Sequence, residues 1–405
     1  MQGNLISRPY YINWLQSWRE KNVIKVVSGV RRCGKSTLFK LYINSLIENG
    51  VKPEHIIYVN LEDLEYEDLL NYRALYDYMM ERMCPDGYTY IFIDEVQRCA
   101  DYEKAVDSLF IKDNVDVHIT GSNAYLLSGE LATLLSGRYV QIEMLPLSFA
   151  EYVSGTGEQK RSFGDYLKYG GFPAVVQLEN NDALINSYLD GVYNSILVKD
   201  VAQRLGLTDI SILEGIAKFL FSNVGSPVSV KKISDTLNSA GRTVSINTVD
   251  KYLRSLCDSY LFYKVDRYDI RGRQHLKTQS KYYAVDSGLR SRLLSSSTPD
   301  IGHVLENVVY LELLRRGNKV TIGKLAEREI DFVAQDTDGT TYYQVSASVL
   351  DENTRKRELE PLQKIPDHHP KVLLTMDDLP RSANYDGIRQ LHIADWLLRY
   401  SEECK

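Results

Sequence analysis

A nine-residue stretch near the N-terminus constrains this chain more than any other feature. Residues 29–37 read Gly-Val-Arg-Arg-Cys-Gly-Lys-Ser-Thr and fit the pattern G-x-x-x-x-G-K-[ST]. The apolar run at 23–27 predicts a buried strand before the loop, and the apolar spacing from Thr37 to Asn49 predicts a helix after it, ended by Gly50. A strand, a glycine loop and a helix start together form the geometry that cradles a phosphate.

The residue types in this loop suit a nucleoside triphosphate. Gly29 and Gly34 allow backbone N–H groups to turn towards oxygen atoms. Lys35 supplies a cation for the β- and γ-phosphates, and Ser36 can ligate Mg²⁺. The alternative is a glycine turn with an incidental lysine, which the flanking strand and helix disfavour. The predicted nucleotide-binding set is Gly29, Arg32, Cys33, Gly34, Lys35, Ser36 and Thr37.

A second motif completes the expected site. The apolar strand that begins at Tyr88 ends in Asp94 and Glu95, which is the Walker B form. Asp94 is placed to hold Mg²⁺ together with Ser36, and Glu95 to act as general base on the attacking water. We therefore expect ATP and Mg²⁺ as cofactors.

Two further segments supply candidate residues. A strand at 115–121 ends at Ser122 and Asn123, and from a position between the two Walker strands either side chain could sense the γ-phosphate. Arg138 directly precedes the strand Tyr139–Met144 and is suited to reach a neighbouring subunit's nucleotide as an arginine finger. The alternative for Arg138 is a solvated arginine in a glycine-containing turn.

This order of motifs resembles the AAA+ ATPases, and more closely a prokaryotic group whose ATPase domain is joined to a C-terminal domain of unknown function. The resemblance implies Ser122 or Asn123 as the sensor and Arg138 as the finger. No sensor-2 arginine stands out, and Arg161 and Lys168 are weak candidates. Further shared phrases are Asp94-Glu-Val-Gln97, Leu145-Pro-Leu-Ser-Phe-Ala-Glu-Tyr152, Tyr169-Gly-Gly-Phe-Pro173 and Val198-Lys-Asp200.

The middle of the chain predicts a helical lid followed by a winged helix-turn-helix. Residues 146–206 have helical apolar spacing, and residues 207–286 read as three short helices and a hairpin. Asp250 also lies on the outer face of the third helix, and an acidic residue there disfavours DNA. The sequence therefore leaves a protein partner as an alternative to double-stranded DNA. The groups that would contact DNA are Asn247, Thr248, Lys251 and Arg254 on the third helix and Arg267, Arg271, Arg273, His275 and Lys277 on the wing.

Residues 287–405 are similar to the PD-(D/E)xK nuclease fold but depart from its motif. Glu306 on a helix and Asp331 on a strand match two acidic positions. Gln344 stands where a metal-ligating carboxylate belongs, and Ser346 stands where the lysine belongs. Because an amide is a poorer Mg²⁺ ligand and a serine supplies no cation, we expect an inactive, binding domain. Whether Glu306 and Asp331 keep a weak metal site is open.

Composition limits the setting. The net charge of −6 argues against a protein that coats nucleic acid over its whole surface. Five scattered cysteines and the absence of a signal peptide or bilayer-length apolar run predict a cytoplasmic protein without membrane contact. For Cys33, the neighbouring Lys35 and helix start could lower the thiol pKa, which leaves redox sensing as an alternative.

The predicted fold is α/β, with a P-loop NTPase core over 1–145 (an AAA+-like parallel sheet), a helical lid over 146–206, a winged helix over 207–286 and a restriction-endonuclease-like α/β domain over 287–405. The leading function is Mg²⁺-dependent ATP hydrolysis coupled to movement of the C-terminal modules, on DNA or on another target. The alternative is a slow nucleotide-gated switch that binds DNA or a protein partner. Both of these functions are compatible with a homo-oligomer. A defence-type nuclease is the least favoured function.

Overall fold

The computed structural model describes residues 5–124, 137–157, 162–178, 181–272, 274–294 and 300–403. Two of the candidate cations, Arg161 and Arg273, lie outside these ranges. The chain forms two compact units. One runs to Pro146 and includes Asp258–Tyr260, and the other comprises Leu147–Cys257 and the chain from Leu261 onward. Within the ranges described, no helix combines the length and the apolar character that a bilayer crossing requires.

The first unit is built on a parallel sheet. Its helices are α1 (Pro9–Ser17), α2 (Lys35–Glu48), α3 (Tyr72–Glu81) and α4 (Tyr102–Phe110), with short 3₁₀ turns at Pro53–His55, Leu64–Leu69 and Val96–Arg98. Its strands are β1 (Ile24–Ser28), β2 (Ile56–Asn60), β3 (Thr89–Asp94), β4 (Val115–Gly121) and β5 (Tyr139–Glu143).

The order of these strands is β2-β3-β4-β1-β5, and all neighbours are parallel. Every residue of β1 and β3 is buried, as expected of parallel strands covered by helices on both faces. The sequence placed β4 between the two Walker strands, and this position is confirmed because β4 lies between β3 and β1. The carboxyl ends of β1, β3 and β4 therefore meet at one edge of the sheet.

The second unit begins with helices. They are α5 (Phe149–Thr156), α6 (Phe163–Tyr169), α7 (Pro173–Val176), α8 (Asp182–Ser195), a π-helical turn at Ile196–Ala202, α9 (Gln203–Leu205), α10 (Ser211–Ser222), α11 (Val230–Ser239) and α12 (Ile246–Asp258). Ser229 and Ser245 cap α11 and α12, as the sequence predicts, by accepting from the backbone N–H groups of Lys232 and Thr248.

A buried carboxylate explains why the segment Tyr169-Gly-Gly-Phe-Pro173 contains two glycines. Asp286 is wholly buried and accepts a hydrogen bond from the Gly171 N–H at 2.7 Å and from the Leu289 N–H at 3.1 Å. A Cβ on Gly170, whose φ is +77°, would lie 2.1 Å from Asp286 Oδ1, and one on Gly171 would lie 2.4 Å from the Leu147 carbonyl oxygen. The two glycines are therefore required by close packing.

The rest of the second unit is one mixed sheet with helices. The remaining elements are β6 (Phe262–Asp269), β7 (Gln274–Ala284), α13 (Ser287–Leu294), α14 (Ile301–Arg315), β8 (Lys319–Leu325), β9 (Arg328–Gln335), β10 (Thr340–Val345), α15 (Glu352–Gln363), β11 (Lys371–Thr375), β12 (Ser382–Tyr385), β13 (Ile388–His392) and α16 (Ile393–Glu403). The strand order is β12-β13-β11-β10-β9-β8-β6-β7.

The hairpin β6–β7, which the sequence assigned to the wing, belongs to this eight-stranded sheet. β6 pairs with β8 in parallel, with Arg267 beside Ile322 and Asp269 beside Lys324. The sheet thus runs across the predicted boundary at residue 286. Local sequence patterns predict the hairpin but not the strand with which β6 pairs. The domain limits therefore stay predictions.

Candidate functional site

The loop after β1 adopts a backbone that only its glycines and one strained residue allow. Gly29, Arg32 and Gly34 have φ values of 146°, 70° and 106°. A Cβ on Gly29 would lie 2.2 Å from the Met144 carbonyl oxygen, so this position excludes any side chain. Helix α2 then begins at Lys35 directly after Gly34. The helix therefore presents its first N–H groups at the loop, as an anion cradle requires.

Lys35 lies inside this loop. Its side chain is buried, and its Nζ donates to the carbonyl oxygens of Gly29 at 3.1 Å and Val30 at 3.3 Å. The same Nζ lies 3.6 Å from Glu95 Oε1. The predicted phosphate-binding cation and the predicted general base are thus brought together from elements that are 60 residues apart in the sequence.

A threonine joins the two Walker B carboxylates to β4. Thr120 donates its hydroxyl to Asp94 Oδ1 and accepts the Glu95 N–H at 2.9 Å. Tyr58 donates its hydroxyl to Asp94 Oδ2 at 3.1 Å. Glu95 has a left-handed backbone, with φ 53° and ψ 49°, which ends β3 and turns the Glu95 side chain out of the strand's alternation. The sequence missed Thr120 and Tyr58, because nothing local marks a threonine or a tyrosine within an apolar strand as functional.

The Glu95 carboxylate is held from two sides. Gln97 Nε2 donates to Glu95 Oε2 at 2.6 Å and to the Ser122 hydroxyl oxygen at 3.3 Å. Burial alone would raise the pKa of Glu95, but Lys35 and the Gln97 amide outweigh it and lower that pKa below its usual range. Glu95 is therefore ionised at neutral pH, as a base must be.

The two sensor candidates lie at the end of β4. Ser122 is buried within hydrogen-bond reach of Gln97, and Asn123 next to it is half-buried. Of the two, the structure links Ser122 to the Glu95 side chain, both by a direct side-chain hydrogen bond and through Gln97.

Arg138 lies apart from the Walker residues. Its guanidinium pairs with Asp107 on α4 and lies 5.9 Å from the centre of the Phe110 ring. The side chain is 43% exposed, so it lies at the surface of the first unit. This placement is compatible with either prediction, a finger for a neighbouring subunit or a solvated arginine.

Cys33 is not the reactive thiol that its sequence position left open. Its side chain is fully buried, and this burial raises the pKa of the thiol although Lys35 and Arg8 act in the opposite direction. Arg8 contributes to the loop in another way, because its guanidinium donates to the Cys33 carbonyl oxygen at 3.3 Å and to the Leu145 carbonyl oxygen at 2.8 Å. The N-terminal segment thus braces the loop backbone.

The donor set fits Mg²⁺. Asp94 and Ser36 offer the hard oxygen atoms that Mg²⁺ prefers, and the described residues contain no group of three or more His, Cys, Asp and Glu side chains suited to hold a metal on their own. A Mg²⁺ ion bound by one or two protein oxygens together with phosphates and water is the arrangement such a site favours.

A second cluster of buried charges lies in the second unit, in the nuclease-like region. Lys281 on β7 has a side chain 4% exposed, and its Nζ lies 2.7 Å from Glu329 Oε1 and 3.5 Å from Glu306 Oε2. Burial opposes the charge on Lys281, but Glu306, Asp331 and Glu329 raise its pKa. The cation that Ser346 cannot supply is therefore present, on a strand that precedes the predicted domain.

The two acidic positions of this cluster have pKa values above their usual range. Burial, together with the proximity of Glu306, raises the pKa of Asp331 well above its usual range, and burial also raises the pKa of Glu306. Gln344 uses its carbonyl oxygen to accept from the Asp331 N–H at 3.3 Å and donates to Glu358 at 3.0 Å. The cluster borders an open cavity of about 540 Å³ that includes His303, Gln344, Ser346, Arg357 and Glu358.

The candidate DNA-contacting residues are partly engaged in ion pairs. Arg254 pairs with Asp250 at 2.6 Å on α12, and Arg267 pairs with Glu329 at 3.1 Å. Arg271 is exposed at the β6–β7 turn. The positions of the His275 and Lys277 side chains lie outside what the structure describes. A basic wing stays a prediction.

Comparison with known proteins agrees with the geometry of the first unit. A family described as "AAA domain" matches residues 21–153, and one described as "Domain of unknown function (DUF8612)" matches residues 160–300. An uncharacterised protein of Haemophilus influenzae is 41% identical, over 98% of this chain and 100% of its own length. An uncharacterised protein of Methanocaldococcus jannaschii is 28% identical, over 85% of this chain and 78% of its own.

Among solved structures, a Walker-type ATPase of Pyrococcus abyssi is similar with a TM-score of 0.52 and 13% identity, over 72% of this chain and 97% of that one. At this identity the likeness concerns the fold alone.

Proposed function

We propose, from the premise that this chain belongs to the same family as the uncharacterised Haemophilus influenzae protein and carries an AAA domain, that it binds ATP with Mg²⁺ and hydrolyses it. The observation that carries the proposal is the approach of Lys35 Nζ to Glu95 Oε1 at 3.6 Å, beside Asp94 and the Gly29–Gly34 loop. A cation for the phosphates, a metal-binding carboxylate and an ionised base thereby share one edge of the parallel sheet.

The residues divide the work of hydrolysis. The loop N–H groups and Lys35 would bind the phosphates, and Asp94 and Ser36 would hold Mg²⁺, which would neutralise negative charge on the phosphates. Glu95 takes a proton from the water that attacks the γ-phosphorus. The bond to the bridging oxygen breaks, and its electron pair leaves with ADP. Ser122, with Asn123, is placed to sense the γ-phosphate.

Two variants test this division. Lys35→Ala should lower the affinity for a fluorescent ATP analogue by about 100-fold, because a charge-assisted contact to phosphate is lost. Glu95→Gln should keep that affinity and lose turnover. If Glu95→Gln hydrolysed ATP at the wild-type rate, the assignment of the base would be wrong.

The coupling of hydrolysis to the second unit is the other half of the proposal and has its own test. ATP turnover is measured with and without double-stranded DNA, beside a sizing experiment with ATP bound to Glu95→Gln. Stimulation by DNA supports an ATPase that acts on DNA through α12 and the β6–β7 hairpin. Turnover far below about 1 per second, with partner association that depends on ATP, supports the switch.

The nuclease alternative gains one observation, which is Lys281 beside Glu306. Among the described residues it lacks a free set of carboxylates, since Gln344 replaces one, Glu306 pairs with Lys281 and Asp331 accepts the Val345 N–H at 2.8 Å. We therefore propose that this region binds rather than cleaves. Incubation of the protein with plasmid DNA and Mg²⁺ or Mn²⁺ tests this, and cleavage that Lys281→Met abolishes would reverse it.

A further inference from the structure

One amide in the first unit is bonded in a way that the assigned roles do not explain. Gln97 follows the Walker B carboxylates by two residues, in the 3₁₀ turn Val96–Arg98, and its side chain folds back towards them. Its Nε2 donates to Glu95 Oε2 at 2.6 Å and to the Ser122 hydroxyl at 3.3 Å. A single NH₂ group therefore joins the proposed base to the proposed sensor.

The other end of this amide has no protein partner among the residues that the structure describes. Gln97 Oε1 is buried and, within the described residues, accepts no hydrogen bond. A buried carbonyl oxygen left without a donor costs about 1–3 kcal/mol, so an unpaired one calls for an explanation. Exchanging the amide oxygen and nitrogen does not remove the problem, because the oxygen would then face the ionised Glu95 carboxylate.

The orphan oxygen lies beside the base. Both heteroatoms of the amide are bonded to one carbon, so Oε1 lies next to the atom that contacts Glu95. A donor that approaches Oε1 from the side of Nε2 therefore comes near the Glu95 carboxylate as well. The water molecule that Glu95 deprotonates has two protons, one for the base and one to donate elsewhere.

We propose that Gln97 positions both the Glu95 carboxylate and the attacking water, donating one Nε2 hydrogen bond to the first and accepting a hydrogen bond from the second at Oε1. The inference rests on the proposed ATP hydrolysis. It also gives Ser122 a route to the base, because a γ-phosphate that draws the Ser122 hydroxyl away frees one Gln97 N–H.

The test compares Gln97→Met with the wild type. Methionine keeps the length of the side chain and removes both hydrogen-bonding ends. We expect kcat to fall about 30-fold, the equivalent of one or two lost hydrogen bonds, while KM and the Kd of a fluorescent ADP analogue stay within about threefold. Gln16→Met is the matched control, because Gln16 on α1 donates an amide hydrogen bond to Ser45 at 3.1 Å and neither residue is assigned a role in the site.

A double variant separates positioning from a structural role. If Gln97 acts through Glu95, Gln97→Met should change the residual kcat of Glu95→Gln less than about twofold. The reason is that the effects of two residues acting through the same catalytic group are not additive. A structural defect would instead lower both backgrounds alike and reduce the melting temperature and the ADP affinity. Should Gln97→Met fail to fold, Gln97→Asn, which retains the amide but withdraws it by one methylene, replaces it with the same expectation.

The outcomes are distinct. Wild-type kcat in Gln97→Met, or an undiminished effect in the Glu95→Gln background, overturns the inference while the ATPase stands. No turnover by the wild type, with nucleotide bound, would remove the proposed function itself and this inference with it.

Discussion

Lys35 in the first unit and Lys281 in the second are both buried beside acidic residues, and the protein holds these two lysines in opposite ways. Lys35 donates to the carbonyl oxygens of Gly29 and Val30 and has Glu95 at 3.6 Å. Lys281 has carboxylate oxygens at 2.7 Å and 3.5 Å and Asp331 nearby. Loop carbonyls are neutral and can be exchanged for phosphate oxygens, whereas a lysine between carboxylates is already neutralised. The first arrangement suits ligand binding, and the second stabilises a fold.

The largest effect should come from the first unit. Glu95→Gln keeps the shape of the side chain and removes the base, so kcat should fall about 10³-fold, within the range of general base catalysis. Phosphate release under saturating ATP measures kcat, and analogue binding checks that the site is intact. A fall in affinity of the same size would mean that Glu95 serves binding rather than the chemical step.

The second effect should appear in the stability of the second unit. Lys281→Met leaves the buried Glu306 without its lysine, while Arg267 still pairs with Glu329. Breaking a buried pair in this way should lower the free energy of unfolding by about 3–4 kcal/mol. Urea unfolding measures it. The control is Lys264→Met, which removes an exposed lysine that lies 3.3 Å from Asp266 on the same strand, β6. It should lower the free energy of unfolding by less than about 1 kcal/mol.

Nucleotide affinity should be unchanged in Lys281→Met. If it fell together with stability, the contrast between the two lysines would be wrong.

A third effect concerns a buried carboxylate that has no lysine. Burial raises the pKa of Asp286 to about 6 from 3.8, although backbone N–H groups donate to it. Since the folded protein binds this proton more tightly than the unfolded chain, the contribution of Asp286 is fully present below pH 3.8 and is lost as the pH rises through 6. The loss amounts to about 3 kcal/mol.

Asp286→Asn cannot ionise, so its unfolding free energy should lose less between pH 4 and pH 7 than that of the wild type. The difference between the two proteins, followed by urea unfolding at each pH, isolates this group from others that titrate. Parallel curves would show that Asp286 has an ordinary pKa.

The smallest effect should come from Arg138. Its pair with Asp107 is exposed, and such pairs contribute about 0–1 kcal/mol, so Arg138→Ala should leave the stability of the first unit nearly unchanged. Turnover measured over a range of protein concentrations then separates the two open roles. If Arg138 is a finger, the deficit of Arg138→Ala relative to the wild type should grow with protein concentration, because the wild-type subunits associate. If Arg138 is a solvated arginine, the two proteins should have the same turnover at every concentration.

Much of the first unit could be predicted from the sequence. The strand at 115–121 was placed at its observed limits and between the two Walker strands, because apolar runs that end in polar residues identify parallel strands and their carboxyl edge. The roles of the residues at that edge stay proposals. The sequence did not reveal Thr120, Tyr58 and the bonds of Gln97, because each depends on a partner from another strand or turn.

The second unit was harder to predict. Its individual helices and strands follow from periodicity, but the sheet that joins β6 to β8 does not, since a strand's own residues do not say which edge it pairs with. The search for a lysine two residues after Gln344 therefore failed, while Lys281 lay on β7 at the far end of the strand order.

The sequence alone determined the Gly29–Gly34 loop and the two strands before the proposed nucleotide site, because contiguous residues set their backbone geometry through glycine and a helix start. Only the tertiary structure decided which of these side chains come into contact. Lys35 reached Glu95, Gln97 reached Ser122 and Lys281 reached Glu306. Those contacts depend on strand order and register, which the packing of the whole sheet fixes and no local pattern encodes.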